Sequence, residues 1–213
     1  MKRTFLVALL AGLVSITSTG VAHATTDLTA GHVDVVWVDY QSGAFVVKVN
    51  DDTAAPAPPV LRDPSDVVLH ATNLTAQTRP AGSAYDFLGP AGGTVWRLPQ
   101  TSDATKLWPG WNTEELTTGV FANNKITLEF AKVSGSGDFN IYSVSPLGAV
   151  SKLVDTGDAN PDVVTVGVDK HVHANWVFED DGDYVIAVTV RGTLAGTSTV
   201  VSAGPFNYAF HVG

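Results

Sequence analysis

The chain of 213 residues contains no cysteine. That excludes a disulfide framework, a thiol nucleophile and cysteine-ligated zinc. Cations are scarce, with 12 Lys and Arg against 21 Asp and Glu and a formal charge of −9. Setting aside Lys2 and Arg3, the only charged residues among the first 24, takes the charge from −9 to −11. Such a surface argues against nucleic acid as a partner and against a polybasic membrane anchor. Charged residues are only 15% of the chain and hydrophobic residues 45%, a balance that builds a core rather than a disordered coil. Helical periodicity is nearly missing; only Asp103–Leu107 and Thr113–Leu116 suggest short helical turns. There is no Gly-x-Ser-x-Gly, His-Glu-x-x-His or Walker loop. The adjacent acids Glu114-Glu115 and Asp180-Asp181 point apart on an extended chain and make no carboxylate dyad. The expectation is a protein that is not an enzyme.

Residues 1–24 read as an export signal. Met1-Lys2-Arg3 is the positive start, Phe5 to Val14 the apolar stretch, and Ala22-His23-Ala24 a small-x-small cleavage site. The apolar run is too short for a transmembrane anchor and no second span follows, so the mature chain is expected to be secreted. The remaining 189 residues, 25–213, suffice for one sizeable core and are expected to form a single domain.

What is present is alternation. Apolar residues recur with period two at Val33, Val35 and Trp37, at Phe45, Val47 and Val49, and at Ile126, Leu128 and Phe130. The pattern returns at Phe139 and Ile141, at Val172, Ala174, Trp176 and Phe178, and at Tyr184, Ile186, Val188 and Val190. Turn-forming clusters such as Ser42-Gly43 and Asp180-Asp181-Gly182-Asp183 separate the runs. This predicts an all-β protein, a single antiparallel β-sandwich of immunoglobulin-like or jelly-roll-like type with very little helix. Tyr184, just after that last turn, fits a tyrosine corner or an ordinary strand tyrosine. Ala54–Pro59 and residues 77–119 interrupt the strand pattern; a long irregular stretch is often functional.

Three segments carry potential chemistry. His171-Val172-His173 places two imidazoles on one side of a strand, either as metal ligands or as part of a polar outer face. Gly31-His32-Val33-Asp34 puts His32 and Asp34 on a shared face. Pairing Val38 with Ala44 across a five-residue connection would set Asp34 opposite Lys48 and His32 opposite Asn50, so Asp34 reads first as an ion-pair partner of Lys48. The aromatic stretch Trp108-Pro109-Gly110-Trp111, followed by Glu114, offers rings that could stack on a ligand or plug the core.

The order of these motifs resembles a known family. Gly31-His32-Val33-Asp34-Val35, Phe87-Leu88-Gly89-Pro90, Val95-Trp96-Arg97-Leu98-Pro99-Gln100, Trp108 to Glu115 and His171-Val172-His173-Ala174-Asn175-Trp176 resemble the actinobacterial surface-anchored protein domain, also called choice-of-anchor M or ABC-transporter-associated repeat proteins. The resemblance spans about Leu28 to Gly213. It implies an exported cell-surface protein that works beside a metal ABC transporter or other surface proteins. It also implies His32, His171 and His173 as ligands for zinc or copper. Many relatives carry His-x-His-Asp at the end of the second strand, where this chain has Lys48-Val49-Asn50-Asp51. The usual anchor is also missing, which implies secretion or retention by a partner.

The expected function is therefore a non-catalytic, exported metal-binding accessory of an uptake system. The alternative is a structural or adhesive surface module in which Trp108, Trp111 and Glu114 line a ligand loop without metal. A secreted hydrolase is a third reading; it lacks a visible nucleophile or acid–base pair.

Overall fold

The computed structural model describes residues 25–213. The expected export signal, residues 1–24, lies outside them. The chain begins with β1 (Thr26–Leu28) and forms a hairpin from β2 (Gly31–Gln41) and β3 (Ala44–Asp52), followed by β4 (Val60–Arg62). Next come β5 (Val67–Ala71), β6 (Ala76–Thr78), β7 (Thr94–Leu98) and β8 (Leu107–Asn112). The second half supplies β9 (Lys125–Ser134), β10 (Phe139–Val144), β11 (Val150–Asp155) and β12 (Asp162–Gly167). It ends with β13 (His171–His173), β14 (Asn175–Phe178), β15 (Gly182–Thr193) and β16 (Val200–Val212).

These strands make three packed sheets, in the orders β1-β5-β16-β15-β9-β12, β11-β10-β14-β7-β6 and β13-β8-β2-β3-β4. Strand accounts for 57% and helix for 8%, as an all-β sandwich requires. The helical share is four short 3-10 segments; Asp103–Leu107 and Thr113–Leu116 are turns leading into or out of strand. Most pairings are antiparallel, while β1 with β5, β16 with β5, and β2 with β8 run parallel.

The alternating apolar residues are the buried ones. Ile126, Leu128 and Ile186, Val188 and Val190 turn inward from neighbouring strands, and Trp176 packs its ring against Phe130, Phe139 and Phe210. One continuous buried cluster draws on all three sheets. Each large apolar side chain so buried contributes about 1.5–3 kcal/mol. The Tyr184 hydroxyl donates back to the Asp180 carbonyl at 2.9 Å and accepts from the Gly137 amide at 3.0 Å, as a tyrosine corner does.

Two local devices redirect the pattern. Ser42 and Gly43 both have positive φ, 51° and 85°, so the first hairpin turns in two residues and Gln41 pairs with Ala44. Such a turn matches the right-handed twist of the strands it joins. Farther along, Val35 and Val36 together oppose Val49, and both are buried. This bulge reverses the alternation, so Trp37 leaves the face that Val33 and Val35 share and is only half-buried. The expected five-residue connection and its register are thus corrected. Asp34 pairs with Asn50, His32 with Asp52, and Lys48 with Trp37. Lys48 is bound to Asp63 at 2.6 Å rather than to Asp34.

The run from His171 to Phe178 is also divided. Its first three residues, β13, join β8 in one sheet; the remainder, β14, runs between β10 and β7 in another. Both faces of β14 are covered, so Asn175 is buried along with Trp176 and Phe178.

Candidate metal centre

β2 and β13 are not neighbours; β8 lies between them. Asp34 pairs with Gly110, which pairs with His173, and Trp37 pairs with Asn112, which pairs with His171. At Gly110 the intervening strand has no side chain. A Cβ there would sit 2.8 Å from His173 Nδ1 and 2.6 Å from the Val172 carbonyl oxygen. Glycine is therefore required by space, and through that gap the side chains of two outer strands meet across the middle one.

They meet closely. His32, Asp34, His171 and His173 each offer one ligand atom, and the four atoms lie within 4.8 Å of one another. The His32 and His171 Nε2 atoms are 3.1 Å apart. Asp34 Oδ1 is 2.8 Å from His171 Nε2 and 3.4 Å from His32 Nε2. The three imidazole rings form a near-equilateral triangle, with centroids 4.9 to 5.1 Å apart. Asp34 is fully buried, although its strand presents it on the side away from the core. Asp34 Oδ1 and His173 Nε2 are both buried and lack an aligned hydrogen-bond partner. A polar atom in that state is costly unless something else meets it.

Each remote atom faces a polar partner. His173 Nδ1 bonds the Pro109 carbonyl at 2.9 Å, so it carries the proton and leaves Nε2 a bare lone pair. His32 Nδ1 faces Asp52 Oδ2 at 3.3 Å, and His171 Nδ1 faces Glu114 Oε2 at 3.6 Å. Asp34 Oδ2 accepts from Asn50 Nδ2 at 3.0 Å and from Asn112 Nδ2 at 3.2 Å. Asn112 also donates to Glu114, which fixes that carboxylate near His171. Outer partners of this kind orient ligand rings and strengthen them as donors.

The charges agree with this reading. Contact with Asp34 raises the His32 pKa, against the opposing effect of burial. Burial pushes the His173 pKa down to about 4, so this ring stays neutral. Burial works against an ionised Asp34, but its contacts with His32 and Asn50 outweigh that and hold the carboxyl below its usual range. The group thus offers neutral imidazole and ionised carboxylate together and could hold a metal ion.

The histidines singled out in the sequence, His32, His171 and His173, converge as expected. Asp34, read there as a partner of Lys48, belongs to the cluster instead. Its signal was present in the spacing, since His32-x-Asp34 matches His171-x-His173 in period. Trp108 stacks on His173 with centroids 3.8 Å apart and is tied by Nε1 to the Gln100 carbonyl, so it forms a wall of the cluster. Glu114 lies at the cluster's rim. Trp111 is only 3% exposed and plugs the core, so it is not part of a ligand surface. Among the described residues no helix is long and apolar enough to cross a membrane. Comparison with known proteins finds no matching family model, no matching curated protein and no matching solved structure.

Proposed function

We propose that this protein is an exported, non-catalytic binder of a divalent transition metal, zinc or copper, serving as an accessory to a metal ABC transporter. The observation that carries the reading is the convergence of His32, Asp34, His171 and His173 to within 4.8 Å. A tetrahedral zinc with bonds of about 2.0 Å has ligand-to-ligand edges of about 3.3 Å. Three edges of the cluster measure 2.8, 3.1 and 3.4 Å before any metal enters. Nitrogen and carboxylate donors without sulfur suit zinc or divalent copper rather than cuprous ion. Four protein ligands fill a tetrahedron, the arrangement of sites that hold metal rather than activate water. The signal-like residues 1–24 and the resemblance of the motif order to the actinobacterial surface-anchored family support the location and the transporter partner.

The test is calorimetric titration of zinc and of copper into protein purified without a histidine tag. The wild type binds one ion tightly at pH 7.5, and the His171→Ala/His173→Ala variant loses that event. Equal binding by the two proteins, or no tight binding by either, rejects the metal reading.

A further inference from the structure

The remaining two described histidines also stand together, on a different sheet. His211 of β16 pairs in register with His70 of β5 on one side and Asp183 of β15 on the other. The imidazole rings of His70 and His211 are 5.3 Å apart. Each is gripped by its own carboxylate: His70 Nε2 by Asp27 Oδ1 at 2.7 Å, and His211 Nδ1 by Asp183 Oδ1 at 2.7 Å. The result is a row of acid, imidazole, imidazole and acid across four strands, on the outward face of the six-stranded sheet. His70 is 20% exposed and His211 50%.

We infer that His70 and His211 form a second, weaker binding site for a divalent transition metal. Each carboxylate occupies one ring nitrogen and leaves the other free, His70 Nδ1 and His211 Nε2. The grip also keeps the free nitrogen a stronger donor, the same outer-partner arrangement that Asp52 gives His32. The two flanking carboxylates bring negative charge close to where a divalent ion would sit. Solvent-facing strands let water complete the coordination. No third protein ligand converges on the pair among the described residues, so binding is at least about a hundredfold weaker than at a four-ligand site. The inference is carried by different residues from those of the His32 centre and stands or falls apart from it.

Zinc alone, titrated by calorimetry into the untagged protein at pH 7.5, tests it. Two events per chain are expected, and His70→Ala/His211→Ala removes only the weaker. His171→Ala/His173→Ala removes only the tighter, so a chain that keeps a weak event after that change supports the second site even where the first reading fails. A single event in the wild type that His171→Ala/His173→Ala abolishes overturns the inference. So does a weak event that persists unchanged in His70→Ala/His211→Ala; the row is then two surface ion pairs. Should that variant lose its fold by circular dichroism, Asp27→Asn/Asp183→Asn replaces it. An unchanged weak event there is equally fatal, and a several-fold weaker one is the expected result.

Discussion

Two groups of histidines stand on two sheets of this chain, and they are built differently. At the first, His32 and Asp34 reach across a glycine to His171 and His173, and Asp34 is wholly buried. At the second, His70 and His211 sit side by side, 20% and 50% exposed, and their carboxylate partners Asp27 and Asp183 are more exposed still. Both groups hold their rings by carboxylates or carbonyls. The difference is convergence: a gap in one strand lets four side chains from the two strands beside it share a centre, whereas a filled ladder keeps ligands in a line. What concentrates donors here is the missing side chain at Gly110 as much as the histidines themselves.

The comparison breaks most sharply at Asp34. Asp34→Ala removes the carboxylate of the cluster and the acceptor that Asn50 and Asn112 share. Tight zinc affinity should fall by at least about a hundredfold, beyond the 10–100-fold effect of an outer partner, while any weak event at His70 and His211 stays. Calorimetry reads both in one titration.

Gly110→Ala tests the gap directly. The added methyl meets His173 and the Val172 carbonyl, so β13 must shift. Affinity at the His32 centre should fall tenfold or more, and overpacking should cost about 1–3 kcal/mol in chemical denaturation. Wild-type affinity in this variant would show that the glycine is not what lets the strands share a centre.

Acidification should weaken the first group in a way set by His32. Its pKa is raised by Asp34, so protons compete with an entering metal for this ring from a higher pH than they would at an ordinary imidazole. His173, pushed down to about 4, adds no such competition near neutrality. Affinity should therefore fall from pH 7.5 to pH 5.5, by about tenfold per unit below the His32 pKa for each displaced proton. Titrations in buffers of different ionisation enthalpy count that proton.

Asp52→Asn weakens the hold on His32 and should lower affinity about tenfold. The smallest effect belongs to Lys48→Met, which should change zinc affinity less than about twofold, because this cation is paired with Asp63 and its like-charge repulsion on the centre is small. A rise of tenfold or more would restore the pairing of Lys48 with Asp34 that the sequence suggested.

Much of the architecture could be read directly. Period-two runs at 126–130 and 184–190 bury the residues they nominate, since a strand has only two faces and one must leave water. The first hairpin was legible as a hairpin but not in its register. The Ser42-Gly43 turn and the bulge at Val35-Val36 each displace the pairing by a residue or more, and a hydrophobic pattern is blind to an extra residue that is itself apolar. The His171–Phe178 run shows the same limit, because an unbroken alternation gives no sign that Ala174 marks a change of sheet.

The sequence by itself determined the strand content, the net negative charge, the absence of cysteine ligands, and three of the four residues of the candidate metal centre. Those follow from composition and from local periodicity, which act within a few residues. Only the tertiary structure decided that β8 lies between β2 and β13, that Gly110 opens the space above it, and that Asp34 faces imidazoles rather than Lys48. Those depend on which distant strands become neighbours, a choice made by the burial of all three sheets together and recorded in no single stretch of the chain.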